Sequence, residues 1–317
     1  IEPYGVMEFE DFVMVENIIV NNEDLLKKGS LGVGVLLNKG VITNISQVYD
    51  NDDSLNLYFS NKLAILINGK QDILNQNIVL KIFELMLNDL SEFRIKFDEY
   101  LTSNSYILIT QNIEVPIGCG FGTSAASAIG TAICINEFFD LNLSIDQCGK
   151  YAHLAEVLFG SGLGDVIAEL SNGIVKRIQP GAPGIGDVEN IVSEEELFVL
   201  TKTFDSINTS SIIEDPFHKQ SITNIGVNLG LEFDNDPSPE NFMKLSFEFA
   251  NKTNLITKDI LDIFNMLKDK SLGVSMAMLG NTAFALLTVN QKENICNNKF
   301  MNDFNLYKIE TRGIRIW

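Results

Sequence analysis

Short apolar runs separated by turn residues fill the first third of the chain. FVMVENIIV (12–20), LGVGVLLNKGVITNIS (31–46) and LAILING (63–69) read as strands, with NKG at 38–40 and NG at 68–69 as turn signals. The period then changes from two to between three and four. NIVLKIFELMLNDL (77–90) sets Val79, Ile82, Phe83, Leu85 and Met86 largely on one helical face. YILITQNIEV (106–115) returns to strand character, and from Gly122 to about Leu170 the pattern predicts two or three helices: SAASAIGTAICINEFF, SIDQCGKYAHLAEVLF and a short DVIAEL. NGIVKRI (172–178) is a further strand.

QPGAPGIGD (179–187) holds two prolines and three glycines, the densest run of breakers in the chain. Breakers at this density mark a boundary, so the sequence divides into domains at 1–186 and 187–317. Beyond it, EELFVLTKTF (195–204) reads as a strand and 207–267 as mostly helical, broken at DNDPSPEN. GVSMAMLGNTAFALLTV (273–289) reads as strand, Gly-Asn turn, strand, and FNLYKIETRG as a last strand.

With 317 residues and 45% hydrophobic content, the chain can bury two ordinary cores. Its net charge of −19 repels nucleic-acid backbones and anionic membrane surfaces. A phosphate-bearing partner must therefore be held locally, by backbone N–H groups, a helix N-terminus, a few basic side chains or a bound cation. Cys119, Cys134, Cys148 and Cys296 form no CxxC pair, and His153 and His218 are the only histidines, so neither a zinc site nor a disulfide framework is expected. No apolar run reaches the roughly 18 residues of a spanning helix. These features predict a reduced, soluble, cytoplasmic protein.

The chemistry centres on GCGFGTSAASAIG (118–130) between a strand and a helix. Such a loop lets amides and the helix dipole face an anion. The same small residues also permit close helix packing, with Thr123 capping the helix, and the loop alone leaves both readings open. Two familiar phosphate loops fail. GxxxxGK[ST] finds no Lys after Gly122, and GxGxxG, although it fits Gly118 and Gly120, meets Thr123 at its third glycine. Asp140 stands about twenty residues on but follows a helix, which disfavours a Rossmann dehydrogenase.

Downstream, a helix carries Glu156, a glycine turn carries Asp165 and a strand carries Lys176 and Arg177. With EVPIGCGFGTSAASAIGTA and the late SLGVSMAMLGNTAFAL (271–286), the chain resembles the GHMP kinase superfamily. Within it, GSLGVG, MAMLGNTAFAL and GLGDVIAELSNGIVKRIQPGAPG are similar to the archaeal pantoate kinase family. The resemblance implies an α+β, two-domain GHMP kinase fold, with an N-terminal ribosomal-protein-S5-domain-2-like α/β domain and a C-terminal ferredoxin-like α+β domain.

It also implies ATP-dependent phosphorylation of the 4-hydroxyl of pantoate, with Mg²⁺ as cofactor, in coenzyme A biosynthesis, and a homodimer. Pro116, Gly118, Gly120, Phe121, Gly122, Thr123, Ser124 and Ala125 would hold the ATP phosphates, and Ser124 and Glu156 the Mg²⁺. Asp165 would receive or orient the acceptor hydroxyl, unless it only caps VIAEL, for which Asp is well suited. Lys176 and Arg177 alternate along a strand, so one should face the site. A carboxylate acceptor favours the bidentate Arg177. His153 shares the helix face of Glu156 and is expected to be packed rather than reactive. Two positions depart from the family. Pro3 is followed by YGVMEF, without the expected His and Thr, and Leu31 replaces a polar or basic residue. A GHMP-type kinase for another small hydroxyl metabolite, or a non-catalytic nucleotide-binding relative, therefore stays open.

Overall fold

The computed structural model describes residues 22–49, 62–70, 73–101, 104–204, 216–278, 280–296 and 303–316. The strand expected at 12–20 and the divergent Pro3–Phe9 segment lie outside them. Among the described residues, three sheets organise the chain. In the first, β1 (Gly32–Val35), β5 (Ile174–Gln179) and β6 (Asp187–Ile191) run antiparallel in the order β1-β5-β6. In the second, β4 (Ser105–Ile113) lies between β2 (Val41–Tyr49), antiparallel, and β3 (Leu63–Ile67), parallel. The third, of β7 (Leu197–Thr203), β8 (Gly273–Met276), β9 (Thr282–Thr288) and β10 (Asn305–Lys308), is antiparallel in the order β10-β7-β9-β8.

The parallel β3–β4 pair needs a crossover, supplied by α2 (Ile73–Asp89) and α3 (Ser91–Tyr100) after the short α1 (Glu23–Leu26). The five α2 residues expected on one face are all buried. Helix α3 has no counterpart in the sequence reading, because its apolar residues Phe93, Ile95, Phe97 and Tyr100 mark no helical stripe among the charges and only Phe93 and Phe97, four apart, are buried. Both nevertheless stack with Phe83 and Phe139 in an aromatic cluster. Helices α4 (Thr123–Phe138) and α5 (Ile145–Phe159) pack on α2 and on each other, and α6 (Asp165–Glu169) follows. A capping box of Ser144 and Gln147 starts α5, and left-handed Gly160 ends it.

NKG does turn the chain, but the two flanking strands do not form a hairpin. β1 pairs with β5 while β2 pairs with β4. The segment between them is held instead by the far end of the chain, through Asn38 N–H to Lys308 O and a Leu37–Ile309 bridge. The breaker-rich 179–187 run connects β5 to β6, so the strand beyond the expected 186/187 boundary stays in the first sheet.

In the third sheet β7 buries Leu197, Phe198, Val199 and Leu200 in succession. Alternate residues serve different cores. Leu197, Val199 and Leu286 join the large core with α2, α4 and α5, whereas Phe198, Leu200, Ala285 and Leu287 pack with α9 (Lys258–Leu267). A sheet covered on both faces explains why this stretch reads as a continuous apolar run. Helices α7 (Pro216–Phe233), α8 (Pro239–Lys252) and α10 (Val289–Cys296) complete the second half.

Candidate active site

A cleft of about 2110 Å³ opens between the two halves, wider than the few hundred to 1,000 Å³ of a single small-ligand pocket. The glycine loop forms one wall. Gly118, Gly120 and Gly122 take φ of 71°, 87° and 65°, values that a side chain resists. Gly122 is the N-cap residue of α4, and no side chain caps that end. Thr123 is the first helical residue and does not cap, which corrects the packing-only reading. The first-turn amides are thus left without side-chain partners where Gly122, Thr123 and Ser124 line the cleft. Close packing is also present: Ala125, Ala128 and Ala132 are fully buried, and a Cβ on Gly130 would meet Thr43 Oγ1 at 2.4 Å.

The late glycine turn closes on this loop from the other half. Thr282 Oγ1 donates to Cys119 O at 2.8 Å, and a Cβ on Gly280 would lie 2.1 Å from that same oxygen. Phe121 meets Tyr307 edge-on at 6.2 Å.

Ser124 and Glu156 come together as expected. Ser124 Oγ donates to Glu156 Oε1 at 2.5 Å, and Ser161 Oγ donates to the same oxygen at 2.7 Å. Glu156 is only 2% exposed on the buried face of α5, where an acid is rare unless it has a task. Burial raises its pKa and Asp165 adds to the rise, while the two serine hydrogen bonds oppose it.

Asp165 is the first residue of α6, after an N-cap at Gly164, and makes no capping hydrogen bond, so the capping alternative does not hold. Its half-exposed carboxylate lies 3.9 Å from Arg177 Nη1. The alternation along β5 separates the two basic residues. Arg177 turns to Asp165 and donates from Nε to Ser30 O at 3.0 Å, while Lys176 pairs with Asp234 at the end of α7. Burial lowers the Arg177 pKa and the Asp165 charge offsets part of that fall. Gly32 and Gly164 pack against the guanidinium on either side, where a Cβ would come within 2.7 and 2.6 Å.

The sequence model of the GHMP kinases N terminal domain matches residues 77–173. Pantoate kinase of Methanocaldococcus jannaschii is 30% identical over 269 residues, covering 85% of this chain and 87% of that protein. The chain belongs to the pantoate kinase family of GHMP kinases. Pantoate kinase of Thermococcus kodakarensis is 32% identical over 294 residues, 90% of this chain and 88% of that protein. A solved structure described as a phosphotransferase related to the CoA biosynthesis pathway superposes with a TM-score of 0.74 at 28% identity, over 92% of this chain and 90% of its own. The GHMP kinase α+β fold is thereby established.

Within that fold, Gly118, Gly120, Phe121, Gly122, Thr123, Ser124, Glu156, Asp165 and Arg177 all line one cleft. Pro116 is half-buried at the start of the loop and Ala125 is buried beneath it; neither is among the lining residues. His153 is 1% exposed, packed near the backbone of Leu25 and Lys28, with its Nε2 buried and without a hydrogen-bond partner. It anchors α1 and is not among the lining residues either. Three contributors escaped the sequence reading: Ser161, which steadies Glu156; Ser30, whose carbonyl holds Arg177; and Glu169, four residues after Asp165 on α6. The four-residue spacing in DVIAEL is the signal that could have found Glu169.

Proposed function

We propose that the chain transfers the γ-phosphoryl group of ATP to the 4-hydroxyl of pantoate, giving 4-phosphopantoate and ADP. The observation that carries this reading is the convergence of Asp165 and Arg177 with the uncapped start of α4 and the Ser124–Glu156 pair in one cleft. The pantoate kinase relatives support the choice of acceptor.

The site fits Mg²⁺ and a triphosphate. Ser124 and Glu156 offer two hard oxygen donors beside the loop, and such sparse protein ligation suits a cation shared with phosphates. Among the described residues no cluster of three His, Cys, Asp or Glu side chains forms a closed metal cage. When bound, the cation neutralises phosphate charge. The amides of Gly122, Thr123 and Ser124 would orient the phosphates and stabilise the charge developing on them. Asp165 takes the proton of the attacking hydroxyl as its oxygen bonds to phosphorus and ADP leaves. Arg177, locked between Gly32 and Gly164, holds Asp165 in place and offers a fixed positive charge to the acceptor carboxylate.

Cys119, Cys134 and Cys148 form no disulfide, which suits a reducing cytoplasm. No helix among the described residues is long and apolar enough to cross a membrane. A homodimer belongs to the same reading and is tested by sedimentation. The deciding experiment offers Mg·ATP with pantoate, homoserine, mevalonate and shikimate. Pantoate-dependent ADP formation supports the assignment; turnover on another acceptor, or nucleotide binding with no turnover, overturns it.

A further inference from the structure

Helix α6 carries two carboxylates, and only Asp165 has a task in the reaction above. Glu169, its last residue, stands one turn further on and so on the same face. Its half-buried side chain lines the cleft, and Oε1 rests against Gly122: a Cβ there would meet it at 2.2 Å. Gly122 is the left-handed residue that aims the first amides of α4.

The group is an expensive one to keep. Burial raises its pKa well above the usual carboxylate range, with Asp165 and then Glu156 adding repulsion. Glu156, by contrast, is steadied by two serine hydroxyls. A desolvated acid facing two like charges costs stability, and groups of this kind concentrate where function uses them.

We infer that Glu169 is a positioning residue: it braces Gly122, so that the helix presenting Asp165 to the acceptor also fixes the loop that receives the nucleotide. The contact is one of reach and shape. A side chain of the same length should serve, while a short one leaves Gly122 unsupported and the amides behind it free to shift. The inference rests on the kinase reading for the role of Asp165, but the brace itself is measurable on nucleotide binding alone.

The test compares Glu169→Ala and Glu169→Gln with the parent chain, by calorimetric titration of Mg·ATP without acceptor, by KM and kcat with pantoate, and by thermal melting. A misplacement of about 1 Å can cost 10²-fold in rate, so a partly slack loop should raise Kd and KM for Mg·ATP about tenfold in Glu169→Ala. The pantoate KM should stay within about twofold and Tm should not fall, since the deleted carboxyl was an unfavourable one. Glu169→Gln should restore nucleotide binding to within about twofold of the parent. Unchanged nucleotide affinity in Glu169→Ala, or a Gln variant as weak as the Ala variant, overturns the brace. A parent chain that binds Mg·ATP yet phosphorylates no acceptor would sink the kinase reading while the calorimetric comparison still decides the brace.

Discussion

Replacing Gly280 by Ala tests whether the two halves build one nucleotide site. A Cβ at Gly280 would sit 2.1 Å from Cys119 O, 2.2 Å from Cys119 C and 2.4 Å from Gly120 N. All three are backbone atoms, so no side chain can swing aside. Reaching even a 3.0 Å contact requires the turn and the glycine loop to part by about 1 Å. That displacement breaks the 2.8 Å bond from Thr282 Oγ1 to Cys119 O. Overpacking costs about 1–3 kcal/mol and the lost hydrogen bond about 1, so stability should fall by about 2–4 kcal/mol. A drop in Tm on the order of 5–10 °C would report it. The functional effect should be larger, because a loop misplaced by about 1 Å lowers kcat/KM for ATP roughly 10²-fold, with the pantoate KM little changed. Gly118→Ala is the control: nothing lies within 4 Å of its Cβ position, and only its left-handed φ of 71° resists a side chain, at about 1–2 kcal/mol. Steady-state kinetics and melting of both variants decide the matter. A Gly280→Ala chain with parental kcat/KM for ATP, whatever its Tm, would refute the claim that this contact shapes the site.

Other expectations follow from the same geometry. Asp165→Asn should lower kcat about 10³-fold while calorimetry finds Mg·ATP binding intact; a loss of nucleotide affinity instead would place Asp165 on the phosphates. Arg177→Lys keeps a charge but forfeits the Nε bond to Ser30 O, and should raise the pantoate KM roughly tenfold, whereas Lys176→Ala, which frees only Asp234, should leave that KM within about twofold. Glu156 binds its proton more readily in the folded chain than in the unfolded one. Its contribution to stability is therefore fully present below the unfolded value of 4.5 and is lost as pH rises through the higher folded value. Glu156→Gln should flatten that loss in urea melts taken from about pH 4.5 to 8 while weakening Mg·ATP binding at least about tenfold; an unaltered pH profile would show that the carboxyl is not the group responsible.

Much of this was legible in the residues because local physics and tertiary structure agree. The α2 stripe, the β8–β9 turn and the three helices after Gly122 each carry their own period and breakers. What could not be read is what the third dimension decides. Both strands around NKG look like partners, yet residues near 308 capture the turn and send them to different sheets. The breakers of 179–187 resemble a linker, yet they fold back so that β6 pairs with β5. Helix α3 shows only two buried phenylalanines among charges and depends on an aromatic cluster drawn from α2 and α4. At the site, residue types announced Ser124, Glu156 and Asp165, while Arg177 was separable from Lys176 only through strand alternation. The four-residue spacing puts Glu169 on the face of Asp165, but its contact with Gly122 joins residues 47 apart and is set by the fold alone.

The site's charge balance ties these parts together. Glu156, Asp165 and Glu169 face the cleft beside the Arg177 guanidinium, while Lys176 on the same lining is taken up by Asp234, in a chain whose net charge is already −19. Long-range attraction cannot bring a triphosphate here, and salt screens the repulsion least at Glu156, the fully buried acid of the three. The uncapped α4 amides contribute about half an elementary charge, too little to offset three acids alone. A divalent cation held by Ser124 and Glu156 would offset the acids, and without it burial favours the protonated forms of the two glutamates. Nucleotide affinity should therefore depend on Mg²⁺ more steeply than loop amides alone would require. An ATP titration in chelator that gives the same Kd as one in excess Mg²⁺ would show that the acids do not shape nucleotide binding at all.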